Sequence, residues 1–264
     1  MGFETLRYEM HGPVAILTLA REAKRNAVNA VMSRELPAAW ARFEADPHAR
    51  VAIITGEGGR VFCSGADLAD PPETDKAGKA ATLDSIRWTA MQNGVTKPVI
   101  AAVNGGAVGG GLHFVADADI VLASDGAYFS DPHVAVGYVA ALEPIMLARR
   151  MPIGAVMRMA LTGGLERMDA QAAHRLGLVD EVVAADALLP QALALAVKIS
   201  RHSPAAVART KQAIWGAKEQ DLGTALQAGW ALIIDQIGHP DATEGPRAFA
   251  EKRPPVWKMP GEGA

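Results

Sequence analysis

Short, almost wholly apolar runs recur along the first half of the chain: Val14 to Leu19, Val51 to Thr55 and Val99 to Val103. Runs of this length, rich in β-branched residues and bounded by turn residues, predict strands buried on both faces, as in a parallel sheet. Between the first two, Ala30 to Glu44 predicts a helix. Val61 begins another strand that ends in a turn of small residues, Ser64-Gly-Ala66. Asp70 to Lys76 reads as a loop, because its prolines and charges oppose regular structure. Lys79 to Asn93, carrying Ile86, Trp88 and Met91, predicts a helix. After Val183 the pattern turns helical: Leu188 to Arg201, Pro204 to Ala217 and Leu222 to Ile237. Gly238-His-Pro240 breaks it, a last helix is expected from Glu244 to Glu251, and Met259 to Ala264 reads as a loose tail.

The densest chemistry follows the third run. Val99 to Val103 enters Asn104-Gly-Gly-Ala-Val-Gly-Gly-Gly111, and a helix is expected from Leu112 to Ala118. The first turn of a helix carries unpaired N–H groups and a partial positive charge. Glycines there let a ligand approach the backbone closely, which suits an anion or an oxyanion. No Gly-Lys-Ser/Thr follows, so this is not a Walker loop, and the dinucleotide spacing G-x-G-x-x-G is missing. Tight strand–helix packing is the alternative reading of the glycines alone. His113 lies in the first turn of the predicted helix.

Several spaced motifs then carry a family resemblance. Phe62-Cys-Ser-Gly-Ala-Asp-Leu68, Lys97-Pro-Val-Ile-Ala-Ala-Val-Asn-Gly105 and Gly109-Gly-Gly111 resemble the crotonase (enoyl-CoA hydratase/isomerase) superfamily. So do Asn26-Ala-Val-Asn29, Leu161-Thr-Gly163, Ala172 to Val183 and Glu244 to Trp257, in the same order. The resemblance implies an α/β fold, a spiral of repeated ββα units, as a core over residues 1–200. Residues 201–264 would form a C-terminal helical region for trimerisation and pocket capping. It implies an acyl-CoA thioester substrate, no cofactor beyond it, no metal, and a homotrimer or dimer of trimers. The backbone N–H groups of Ala66 and Gly110 would form the oxyanion hole. Ala27, Val28, Asp67 and Leu68 would lie along the CoA, with Phe249 and Lys252 near a CoA site, that of a neighbour included.

By the same resemblance, the positions of the family's two catalytic glutamates hold His113 and, twenty positions on, His133 in Phe129-Ser-Asp-Pro-His133. Imidazole can take or give a proton near neutral pH. Asp131, two residues before His133, is placed to orient an imidazole, and it equally suits the turn before Pro132. Glu143 could replace a missing carboxylate, or be a first-turn glutamate of the helix running to Arg150. His113, Asp131 and His133 nominally make a two-His, one-carboxylate set, but nothing else in the sequence supports a metal. Three functions stay open: a hydratase/isomerase-type enzyme with a His/His acid–base site, a retro-Claisen C–C hydrolase of a β-keto acyl-CoA or cyclic diketone, and a non-catalytic acyl-CoA binder. Some crotonase-fold relatives, a β-diketone hydrolase and an aryl-CoA dehalogenase among them, use histidine in their sites.

Composition narrows the setting. With 264 residues, half of them hydrophobic, the chain can bury one large core. A formal net charge of −3 gives no nucleic-acid footprint. The single cysteine, Cys63, excludes an internal disulfide. The opening residues lack the apolar core of a signal peptide, and no stretch is apolar enough to span a bilayer, so a cytoplasmic location is expected.

Overall fold

The computed structural model describes residues 2–72 and 78–258. The expected loop at Asp70 to Lys76 lies partly, and the tail at Met259 to Ala264 wholly, outside them. Among the described residues, ten strands form two sheets. The larger runs in the order β1 (Leu6–His11), β2 (Val14–Leu19), β3 (Val51–Gly56), β5 (Val99–Val103), β7 (Ile120–Ser124), β10 (Glu181–Val183). Only the β1–β2 pair in it is antiparallel. The smaller sheet runs β4 (Val61–Cys63), β6 (Gly106–Val108), β8 (Tyr128–Ser130), β9 (Met168–Asp169). Three times in succession, at β3–β4, β5–β6 and β7–β8, the chain lays one strand in the large sheet and the next in the small one. The expected ββα spiral is present.

The apolar runs are buried on both faces for a definite reason. Ile16, Ile53, Ile100 and Leu122 point one way, onto Leu188, Ala192 and Ala196 of α6 (Leu188–Ser200). Their neighbours Leu17, Ile54, Ala101 and Val121 point the other way, into the larger core. There they meet Met32, Leu36 and Trp40 of α1 (Ala30–Ala45) and Leu112 and Val115 of α2 (Leu112–Ala116). Each large side chain buried this way stabilises the fold by about 1.5–3 kcal/mol. The Asn29 side chain caps α1, accepting from the Met32 N–H.

Beyond β8 come α3 (Leu142–Leu147), α4 (Ile153–Leu161) and α5 (Ala170–Arg175), and after α6 come α7 (Pro204–Gly216), α8 (Leu222–Ile237) and α9 (Pro240–Ala250). Two expectations need correction. The segment Lys79 to Asn93 is not a helix: it holds only 3-10 turns at Gly78–Ala80, Leu83–Ser85 and Met91–Asn93. Tertiary contacts prevail over its helical spacing. The Trp88 ring stacks on Phe114 with centroids 6.5 Å apart, and its carbonyl accepts from Trp40 Nε1 at 2.8 Å. The last helix starts at Pro240, not Glu244, because proline at the first helical position lacks only an N–H that would be unpaired there. No helix among the described residues is long and apolar enough to cross a membrane.

Two outcomes test this packing. Ile53→Ala should cost about 2–5 kcal/mol in chemical denaturation, since Ile53 is fully buried between the sheet and α6. Complete burial pushes the Cys63 thiol up to about 12. At pH 8 its thiolate fraction is then on the order of one in ten thousand. Native protein should resist iodoacetamide, with full labelling after denaturation; rapid native labelling would show that β4 opens readily.

Candidate active site

The site forms where two turns press together. Gly65, with φ +85°, sits against the Gly109–Gly111 turn. A Cβ at Gly65 would lie 2.8 Å from the Gly110 nitrogen and 3.0 Å from the Val108 oxygen. Only glycine accepts both that dihedral and that approach. A Cβ at Gly110 would lie 2.8 Å from Cζ3 of Trp88, so the indole closes one side of the turn. Val28 and Ala66 form a parallel bridge. In it Val28 N–H donates to Gly65 O at 2.8 Å and Asp67 N–H to Val28 O at 2.9 Å. A parallel bridge of this kind turns the Ala66 N–H to the opposite side of the strand. The structure therefore brings Ala27 and Val28, both buried, to the Ala66 turn, and sets that turn on Gly110.

This approach is braced from outside. Arg21 Nη1 donates to Ala27 O and to Asp67 Oδ2, the latter at 3.0 Å. Burial works to raise the Asp67 carboxyl, but the hydrogen bonds from Arg21, Ala69 N–H and Asp70 N–H outweigh it and hold the group below its ordinary range. Asp67 is thus occupied as a brace. Asn26, fully buried, donates to the carbonyls of Glu57 and Val61 and accepts from Arg21 N–H. Arg21 had no sequence signal, because its partner lies 46 positions away.

Two imidazole–carboxylate pairs flank the glycine turn. His133 Nδ1 lies 2.6 Å from Asp131 Oδ1, which also accepts the His133 N–H at 3.0 Å. Asp131 is completely buried, while the His133 side chain keeps 24% exposure. The Cε1 and Nε2 edge of this ring faces Gly109, 3.6 and 3.9 Å from where a Cβ would stand. On the other side, His113 Nε2 lies 3.3 Å from Glu143 Oε1, and both side chains are nearly buried. The Trp88 ring meets His113 edge-on, with centroids 6.0 Å apart. Glu143 sits in the first turn of α3, as a helix reading requires, and its carboxylate is nonetheless spent on His113. His113, Asp131 and His133 do not share one centre, since each imidazole has its own carboxylate.

The remaining candidates are not drawn in by the chain's own packing. Leu68 is 74% and Phe249 88% exposed, and Lys252 follows α9 in a left-handed conformation. Three participants were not singled out in the sequence as site chemistry: Arg21, Thr89 and Asp117. The last two are buried and joined by a 2.7 Å bond from Thr89 Oγ1 to Asp117 Oδ2.

With this geometry in view, similarity to known proteins can be placed. The family described as enoyl-CoA hydratase/isomerase matches residues 9–260. A carnitinyl-CoA dehydratase from Proteus mirabilis is 38% identical over 97% of this chain and 98% of its own length. The (E)-benzylidenesuccinyl-CoA hydratase of Thauera aromatica is 35% identical, covering 95% and 97%. Among solved structures, an enoyl-CoA hydratase/isomerase from Mycobacterium paratuberculosis superposes with a TM-score of 0.89 at 38% identity, covering 97% of this chain and 99% of the other. The enoyl-CoA hydratase of Mycobacterium tuberculosis H37Rv gives 0.86 at 33%, covering 96% and 98%. A crotonase core, its paired glycine turns and near end-to-end similarity place this chain in the enoyl-CoA hydratase/isomerase family.

Proposed function

We propose that this protein adds water to, or removes it from, the Cα–Cβ bond of an acyl-CoA thioester. The observation that carries this reading is the pair of imidazole–carboxylate units on either side of the Gly65/Gly110 contact. In the hydration direction, water attacks Cβ and loses a proton to the His113–Glu143 pair. Negative charge develops on the thioester oxygen, where the N–H groups of Ala66 and Gly110 stabilise it by several kcal/mol in a dry pocket. His133, oriented through Nδ1 by Asp131, delivers a proton from Nε2 to Cα. Dehydration runs the same steps backwards. On this reading histidines serve where the family resemblance expects glutamates, each with a carboxylate close by. The names of the similar dehydratases and hydratase support water chemistry, and the scheme uses only the acyl-CoA and water as reactants.

A second reading draws on the same pairs. An imidazole backed by a buried carboxylate can also drive water onto a β-keto carbon, with the departing thioester enolate held by the same N–H groups. A panel of 3-hydroxyacyl-, enoyl- and β-ketoacyl-CoA esters, followed by mass spectrometry, separates the two. Gain or loss of one water supports the first reading, and a shortened acyl-CoA the second. Tight binding without turnover of any ester would overturn both in favour of a binding protein.

His113→Ala and His133→Ala should each lower turnover by roughly a hundredfold or more, the scale of general acid–base contributions. Acyl-CoA affinity, measured by calorimetry, should change far less, because backbone groups hold the thioester. Full activity in either variant would remove that imidazole from the mechanism.

The assembly is also a proposal. Leu222, Leu226, Trp230, Ile233, Ile234 and Ile237 leave an apolar stripe exposed down α8. A stripe of this length calls for a covering partner. We expect copies of this chain, as a trimer or a dimer of trimers, with Phe249 and Lys252 available to a neighbour's CoA site. Light scattering at micromolar concentration should give that mass; a monomer would overturn it.

A further inference from the structure

Behind the His113–Glu143 pair lies a buried acid that the reaction scheme does not use. Asp117 follows α2 with its N–H bonded to His113 O at 3.0 Å, so the two side chains sit one turn apart on the same face. Asp117 is only 6% exposed. Nothing about the helix favours an acid there: the C-terminal end of a helix repels negative charge. A cation, Arg150, in fact serves that end, with Nε on Ala116 O at 2.9 Å and Nη2 on Ala118 O.

Among the described residues, three polar atoms in this region are buried without a hydrogen-bond partner: His113 Nδ1, Asp117 Oδ1 and Nε1 of Trp88, whose ring meets His113 edge-on. The companion atoms of the first two are engaged. Thr89 Oγ1 donates to Asp117 Oδ2 at 2.7 Å, and His113 Nε2 faces Glu143 at 3.3 Å. Side chains on a helix lean towards its N-terminus, which tilts the Asp117 carboxyl back to the turn carrying His113. Nδ1, bonded to the Cγ atom, is the ring nitrogen nearer the helix backbone, while Nε2 is the one at Glu143. Orphaned buried polar atoms on side chains one turn apart are costly unless joined, and one internal water would satisfy both His113 Nδ1 and Asp117 Oδ1.

We propose that Asp117 is a positioning residue for His113, hydrogen-bonded to its Nδ1 through one internal water and fixing which nitrogen faces Glu143. The line then runs from Glu143 through His113, the water and Asp117 to Thr89. Asp117 acts through His113 and touches no reacting atom. Burial pushes the Asp117 carboxyl above its ordinary range; the Thr89 bond and the charges of His113 and Arg150 oppose this, and Glu143 adds to it. Through the water, the Asp117 carboxyl sets the hydrogen-bond polarity at Nδ1 and so fixes which nitrogen of His113 carries the proton. The titratable and charged groups about Asp117 are His113 on α2, Glu143 on α3 and Arg150 beyond it.

This role rests on the proposed use of the His113–Glu143 pair, but its test does not depend on activity alone. The full-length protein, labelled with 15N in its histidines, is compared with Asp117→Asn and Asp117→Ala, with His113→Ala assigning the resonance. The wild type should show one fixed His113 tautomer. Asp117→Asn should alter the tautomer ratio and the titration midpoint of His113. It should also lower kcat about tenfold with KM unchanged, the scale on which outer partners of imidazole ligands act. A His113 signal with identical tautomer and titration in Asp117→Asn overturns the proposal. Should His113→Ala stay fully active while Asp117→Asn shifts the tautomer, the mechanism fails and the positioning role stands. Should His113→Ala be inactive while Asp117→Asn leaves signal and kcat unchanged, the reverse holds. If Asp117→Ala does not fold, Asp117→Asn, which keeps the side chain's size, still decides the matter.

Discussion

Everything at the site depends on two backbone turns meeting at van der Waals distance. Gly65 can stand over the Gly110 nitrogen only because it has no side chain and accepts φ +85°. The contact is made by main chain alone, yet it is set by elements from three parts of the sequence. The Asn26–Asn29 segment pairs with the first turn, β4 delivers that turn, and β5 with β6 deliver the second. Arg21 and Asp67 then close the arrangement with a largely buried ion pair. Such a pair is weak as a source of stability, but it is strong as a specifier of position, since breaking it leaves an unpaired buried charge.

The same economy governs the polar groups around that contact. Burying an imidazole or a carboxylate alone is unfavourable, and here each buried member has a counterpart of opposite chemistry within reach. The two pairs differ in wetness. Asp131 is sealed while His133 keeps an open edge, whereas His113 and Glu143 are both nearly enclosed. One unit can therefore exchange protons with solvent directly, and the other only through its neighbours.

The strands and glycine turns were legible in the sequence because burial on both faces writes itself as an unbroken apolar run, and because Gly65 and Gly110 stand in distinctive local motifs. His113 and His133 were singled out through family resemblance, and the structure gives each a carboxylate partner. What stayed hidden rests on contacts between distant residues. The stretch holding Trp88 has helical spacing, but a bond from Trp40 and stacking on Phe114 set its path. Glu143 reads locally as an ordinary first-turn acid, and its meeting with His113 depends on how α3 packs on α2. Pro240 reads as a breaker in the sequence, because proline interrupts a helix and starts one equally well. Asp117 gives no local signal, since its meaning lies in the burial and partners of its two oxygens.

Asp119, at the entrance to β7, ties the helical C-terminal region to the sheet. Its carboxylate accepts the Val99 N–H and Trp215 Nε1, both at 2.7 Å, and pairs with Lys211 Nζ at 2.9 Å. Lys211 reaches on to Lys97 O. Two of these partners belong to α7, beyond the nominal core boundary at residue 200. Cutting the chain there would strip an acid at the sheet's edge of its cation and its indole donor. The spiral and its helical extension are thus tied together through one largely buried carboxylate, and the line between them marks a change of architecture that these contacts bridge.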